Sequence, residues 1–252
     1  MKSLNIITIT DGNLNSLKKT LISIDGQNYK NYKNYIISKK KINNLDNKFK
    51  KKQRVFIYKK NCSIYEAMNL GLKKSKYNSV IFLNSGDIFY KKSSLNTISK
   101  HIKQNSKKCL MFVSILKNNQ DYFFPKKRTF FKENFLTHSS FIRPPNKNDK
   151  GFNPKNKITA DGEWMRKNIK RYSIKKIYET VTIFYLGGIS NLPSRRSLSM
   201  KLNTGILSIL KEFIKFLLLK LLGQKKFYKI IYFFKYDKVE TNEIEKSMKN
   251  HN

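Results

Sequence analysis

Residues 79–87 read SVIFLNSGD. An apolar run, Val80–Leu83, stops abruptly in a small polar turn that closes on a single carboxylate, Asp87. A buried parallel strand delivers an acid to the mouth of an open α/β sheet in this way. Just upstream, SIYEAMNLGLKKSK at 63–76 is helix-like. A strand ending in one acid carries little information; helix, strand and terminal acid in this order carry much more.

The same alternation extends toward the N-terminus. MKSLNIITITDGN is too short in its apolar part, and too rich in Thr, for a signal peptide; it reads as a first strand, Leu4–Thr10. Leu14, Leu17, Leu21 and Ile24 then recur at helical spacing behind the polar turn Asp11-Gly12-Asn13. A second strand is expected at Tyr35–Ser38 and a third at Arg54–Lys59, with a lysine-rich loop and short helix over 39–52 between them. Strands alternating with helices at this interval give βαβ units and a mostly parallel sheet, a Rossmann-type half over the first hundred residues or so.

Beyond residue 108 the pattern changes. Cys109–Leu116, Tyr122–Phe124 and Ser139–Ile142 read as strands, Phe152–Lys157 as a polar loop, and Ile174–Tyr185 as β-rich. Asp161–Ile169 opens with an acid suited to a helix N-terminus and holds the chain's one tryptophan, Trp164. Cys62 and Cys109 show no paired-ligand spacing, which supports neither a disulfide framework nor a zinc site.

The formal net charge is +37 over 252 residues, with 39% hydrophobic and 13% aromatic content. That composition is one of a folded chain with a sizeable core. The lysines are spread evenly and arrive with abundant Asn and Ile, as A·T-rich coding also produces. No recognition helix or base-stacking motif accompanies them, so the charge by itself names no specific nucleic acid as partner. The stretch 202–236 is the most hydrophobic. Its ILSILKEFIKFLLLKLL run is interrupted by Lys211, Glu212, Lys215 and Lys220, too often for a spanning helix. It reads as a basic amphipathic helix suited to an anionic membrane surface, or as a terminal helix packed on the core. Residues 237–252 read as a frayed polar tail.

Seven segments in order give the chain a family resemblance: IITIT at 6–10, SIDGQNYKNY at 23–32, SIYEAMNLGL at 63–72, IFLNSGD at 81–87, THSSFIR at 137–143, ITADGEW at 158–164 and GGIS at 187–190. Together they resemble the family 2 glycosyltransferases of the GT-A fold, of the bacterial polysaccharide-assembly type. The resemblance implies an α/β GT-A domain over 1–195, with a Rossmann-like half and a mixed central sheet, followed by an amphipathic segment at 196–236. It implies inverting, metal-dependent transfer of a sugar from a nucleotide diphosphosugar to a glycan or lipid-linked saccharide acceptor, at the cytoplasmic face of the membrane. By that resemblance Asp87 holds a divalent cation, Mn²⁺ or Mg²⁺, against the diphosphate. Asp161 is the catalytic base with Glu163 as its competitor, and Thr10, Asn69, Gly71, Asn84, Ser85, Gly86 and His138 line the donor site. Each has a plainer alternative: a turn for Asp87, a first-turn acid for Asp161, a backbone-bound histidine for His138, helix packing for Asn69 and Gly71. Gly187-Gly188 are expected to form a tight loop at the site's rim.

Two features depart from the pattern. Where relatives end the second strand on an acid, this chain reads YIISKKKINNLDNK at 35–48, with Ser38 followed by lysines. A second expected acid is replaced within KKNCS at 59–63. The alternatives these leave are a catalytically degenerate scaffold of the same fold, or a basic nucleic-acid-binding protein, which gives no account of Asp87 and Asp161.

Overall fold

A computed structural model describes residues 4–75, 78–118, 121–132, 137–156, 159–186, 206–233 and 235–239, with the single positions 193, 198 and 244. The motif GGIS at 187–190, and with it the expected glycine loop, lies outside the described residues.

The N-terminal half is a parallel sheet. Strands β1 (Leu4–Thr10), β2 (Tyr32–Ser38), β3 (Arg54–Tyr58) and β4 (Ser79–Phe82) lie in the order β3-β2-β1-β4. All three pairings are parallel, with Thr10 beside Ser38 and Ile7 beside Phe82. Every residue of β1 is buried because helices cover both faces. Helix α1 (Leu14–Asp25) lays Leu17, Leu21 and Ile24 on the Leu4 and Ile6 side, capped by Asn13, whose side chain accepts from Ser16 N. Helix α2 (Ile64–Lys74) lies on the opposite face with Ile7, Tyr35 and Phe82. Ser63 and Glu66 close a reciprocal capping box at its start. Gly71 allows its close approach to the sheet: a Cβ there would stand 2.4 Å from Ile7 Cγ2.

The second half is a mixed sheet in the order β10-β7-β6-β9-β5. Its strands are β5 (Ile88–Phe89), β6 (Cys109–Lys117), β7 (Tyr122–Pro125), β9 (Ile174–Tyr185) and β10 (Tyr236–Val239), with β8 (Phe141–Ile142) on the flank of β6. Only β6 and β9 run parallel. A two-way backbone bridge between Val80 and Arg143 ties β4 to the segment after β8, joining the two sheets. Helix α5 (Ala160–Tyr172) packs Trp164 and Met165 into the α2-side core, where Trp164 stacks on Phe152 at 4.7 Å.

Several boundaries differ from the sequence reading. The second strand starts at Tyr32, three residues early, since Tyr32 itself is buried against α1. The expected strand 139–142 shortens to two residues, because Ser139 and Ser140 turn to bring His138 inward. Helix α3 (Ser94–Gln104) rests on only Leu95, Ile98 and Ile102, too few apolar positions to stand out as a period. The short α4 (Lys127–Lys132) buries one residue, Phe130. The tail is a correction: Tyr236–Val239 pairs antiparallel with β7, and Lys238 reaches Asp121 at 2.8 Å. Ile244 is also buried, among Ile115, Tyr122 and Ile183. The polar composition hid a strand that follows α6 (Ile206–Tyr232), a long helix bent at Gly223, where φ is +70°.

Candidate active site

The site forms where the carboxyl ends of β1, β2 and β4 meet the end of β9. Past Phe82, the backbone of β4 continues its ladder, Leu83 N donating to Ile7 O and Ser85 N to Ile9 O, each at 2.9 Å. The turn then closes through Asp87 N to Asn84 O at 2.9 Å, with Gly86 at φ +107°. A side chain there would be strained in that conformation. Thr20 of α1 supports the turn from below, accepting from Gly86 N at 2.9 Å and donating to Asp87 O at 2.8 Å. Asp87 is therefore held in place by the first helix.

Antiparallel pairing of β5 with β9 brings Tyr185 N to Asp87 Oδ1 at 3.0 Å. Asp87 Oδ2 lies 3.4 Å from His138 Nε2 and has no hydrogen-bond partner; the residue is 4% exposed. On the other side of the same imidazole, His138 Nδ1 is 3.8 Å from Asp161 Oδ2. Asp161 sits in the first turn of α5, where Gly162 N at 2.9 Å and Tyr65 OH at 3.3 Å donate to its Oδ1. Two acids far apart in the chain thus flank one histidine, with Asp87 at the floor and Asp161 more open to solvent.

Burial alone would push the His138 imidazole down, but pairing with the Asp161 and Asp87 carboxylates raises it from 6.5 to about 9. Burial would raise Asp161; the His138 partner, the Gly162 amide and the Tyr65 hydroxyl outweigh it and hold the carboxyl below its ordinary value. Tyr65 is pushed up, by burial first and then by the Asp161 charge. The neighbouring Asp161 and Asp87 thus favour the charged form of the ring between them. Asn84 lies 3.0 Å from His138 Nε2, a contact that needs the amide oxygen turned inward once the ring carries both protons.

The other expected residues fall in two groups. Thr10 stands at the mouth of β1 and accepts from Gly12 N at 3.1 Å, beside Ser38 and one strand from Ser85. Ser85, Gly86 and Asn84 form the turn itself. Glu163 does not join them: its carboxylate is taken by Lys167 at 2.8 Å and Asn156 at 3.3 Å. Asn69 is likewise outside, clamping the Phe152 backbone with both amide atoms at 2.9 and 2.7 Å. Gly71 packs on Ile7. Among the described contacts Asn69 reaches the site through Phe152, which stacks on Tyr65 at 5.7 Å.

Thr20, Tyr65 and Tyr185 were not evident as site residues in the sequence. Tyr65 lay within the IYEAM run but reads as a core aromatic. Tyr185 contributes a backbone amide, which no side-chain pattern reveals.

Beyond Thr10, at the carboxyl ends of β2 and β3, opens a cavity of about 390 Å³. Lys40, Lys41 and Lys50 rim it, and Ile36, Phe56 and Tyr58 supply apolar wall. Lys40 crosses above Gly12, where an added Cβ would stand 3.0 Å from its own. Two of the lysines that follow Ser38, Lys40 and Lys41, thus line the cavity.

Among the described residues no group of three or more His, Cys, Asp or Glu is placed to hold a metal ion. Two oxygens at the turn, Asp87 Oδ2 and Ser85 Oγ, are nevertheless buried without hydrogen-bond partners. Hard divalent cations take oxygen ligands, and Mg²⁺ or Mn²⁺ uses one or two carboxylates with phosphates and waters completing the shell. The oxygens present fit such an ion as a partial ligand set.

No protein-family model and no curated protein matches the sequence. Solved structures do share its architecture. S. aureus TarS 1-349 in complex with UDP-GlcNAc superposes with a TM-score of 0.59 at 15% identity, over 73% of this chain and 58% of that one. S. aureus TarS gives 0.56 at 15%, over 88% and 46%. Mannosyltransferase PcManGT from Pyrobaculum calidifontis, in complex with GDP-Man and Mn²⁺, gives 0.54 at 10%, over 79% and 60%. The chain spans 58–60% of the length of TarS 1-349. At these identities the likeness is one of fold: this chain has the GT-A fold.

Proposed function

We propose that this protein transfers a sugar from a nucleotide diphosphosugar to a hydroxyl of a saccharide acceptor, with inversion. The observation that carries this reading is the convergence of Asp87 and Asp161 on His138 at the carboxyl edge of the sheet, where open α/β folds bind their ligands. In this reading the acceptor oxygen attacks the anomeric carbon, and the bond from that carbon to the diphosphate breaks with its electron pair leaving on the diphosphate. Asp161, ionised and the more open of the two acids, takes the acceptor's proton. His138 holds Asp161 in place and sets its charge.

Asp87 and Ser85 would hold a Mg²⁺ or Mn²⁺ ion, which when bound neutralises the departing diphosphate. The Mn²⁺ complex of the mannosyltransferase supports this. The nucleoside end is proposed to lie toward Thr10 and the lysine-rimmed cavity, two strands from Asp87. Lys40, Lys41 and Lys50 line that cavity where the family pattern has an acid, and their positive charge favours the donor's diphosphate as it leads from there toward Asp87. A lipid-linked acceptor at the inner face of the cytoplasmic membrane, in cell-surface polysaccharide assembly, completes the proposal.

The test is a thermal-unfolding panel of UDP-, GDP-, CMP- and dTDP-sugars, each with and without Mn²⁺. A ligand of the folded form raises its melting temperature with occupancy. One nucleotide class is expected to stabilise the protein, more so with the metal. Failure of every class in both conditions overturns the reading.

A further inference from the structure

Among the described residues, eight of the thirteen exposed large hydrophobic side chains lie between positions 206 and 233. Six of them, Ile206, Leu210, Phe213, Ile214, Leu217 and Leu221, follow one another at spacings of one, three and four along the straight first part of α6. That spacing places them on one face. Ile206 is 83% and Leu221 79% exposed. The domain is met by other residues of the helix: Leu218, Leu219, Phe227 and Tyr228 pack with Leu116, Phe123 and Leu186. The stripe therefore faces away from the protein, while the helix is anchored on its opposite side.

The rims of the stripe are basic. Lys211 and Lys220 are exposed, Lys220 over the Phe216 ring at 5.2 Å, and Lys226 and Lys229 continue past the bend. A second copy of the chain laid on this face would bring lysines against lysines in a molecule of net charge +37. A polyanion such as nucleic acid would satisfy the lysines but leave the Ile, Leu and Phe side chains in water. No helix among the described residues is long and apolar enough to cross a membrane. An anionic lipid surface satisfies both features: the stripe enters the acyl boundary, and the lysine stems reach back to the headgroups.

We propose that the outward face of α6 from Ile206 to Leu221 seats on an anionic bilayer surface, lying in the interface without crossing it. The anchoring also bears on the site, because Tyr228 OH donates to Leu186 O at 3.2 Å. Leu186 directly follows Tyr185, whose amide holds Asp87. The helix on the membrane and the turn carrying Asp87 are thus joined through one end of β9. Resting on the transfer reading, this places an acceptor carried on a membrane lipid beside the site.

The test measures co-sedimentation of the full chain with vesicles and reads no transfer, so its failure is distinct from failure of the transfer reading. The chain is expected to bind phosphatidylglycerol–phosphatidylcholine vesicles, and to bind pure phosphatidylcholine far more weakly. The double variant Leu210→Glu, Leu217→Glu should reduce affinity at least about tenfold, since each buried leucine contributes on the scale of a tenfold change or more. Ile22→Glu, an exposed apolar position on α1, should leave binding unchanged. Absence of binding by the wild-type chain overturns the proposal. So does unchanged binding by the double variant, which would reduce the effect to charge alone, or a dimer in solution that the double variant converts to monomer.

Discussion

Asp161 and Asp87 carry different burdens although both touch the same imidazole. Asp161 has solvent access and a depressed pKa, whereas Asp87 is enclosed by the turn that Thr20 supports. Replacing Asp161 by Asn keeps the shape and removes the proton acceptor. Turnover is expected to fall by about 10²–10⁴-fold, the range of general-base contributions. Nucleotide-sugar stabilisation in thermal unfolding should persist, and equal loss of both would reassign the residue. Thr20→Val is isosteric but leaves Gly86 N and Asp87 O unpaired in a buried place. It should cost about 1–3 kcal/mol in chemical denaturation and also lower donor binding. Asp87 was legible at this scale, because a helix, a strand and a small polar turn closing on the acid follow one another within residues 63–87. Thr20 was not: its partners are backbone atoms 66 and 67 positions away.

At the scale of elements, α2 shows how local and distant requirements meet in one helix. Ser63 and Glu66 fix its start by hydrogen bonds within four residues. Ser63→Ala should destabilise the protein by about 1 kcal/mol, read as a lower denaturation midpoint with an unchanged slope. Gly71 meets a requirement no local rule imposes, the approach of α2 to Ile7 on β1. Gly71→Ala improves helix propensity yet forces apart a packed contact, so a net loss of about 1–3 kcal/mol is expected. A gain in stability would show that α2 can shift without cost. The β10 strand rests partly on Asp121, whose carboxyl burial would raise but Lys238 and Asn118 hold below its ordinary value. A depressed carboxyl contributes stability above its unfolded pKa and loses it as pH falls through the folded one. Lys238→Met should therefore be less stable than wild type at pH 7, with the gap closing at pH values below the usual carboxylate range, in urea titrations.

For the whole molecule, a net charge of +37 acts on every equilibrium. Self-repulsion opposes the compact state, and added salt screens it over a length that falls from about 10 Å at 0.1 M to about 3 Å at 1 M. The melting temperature is expected to rise between those concentrations in thermal scans; a fall would mean that specific ion pairs outweigh the general repulsion. By itself the sequence determined the parallel half, the acid at the end of β4, the helix opening at Asp161 and the apolar-basic character of residues 202–236. Those features rest on contacts near in sequence: a hydrophobic period, a turn, a helix start. Only the tertiary structure decided that His138 stands between Asp87 and Asp161, that Glu163 turns instead to Lys167, that Asn69 serves Phe152, and that the first residues of the polar tail pair as a strand. Each of these depends on which side chain meets which across the fold. Ion-pair and hydrogen-bond partners become defined only when distant segments are brought within a few ångströms, and one-dimensional spacing does not encode that distance.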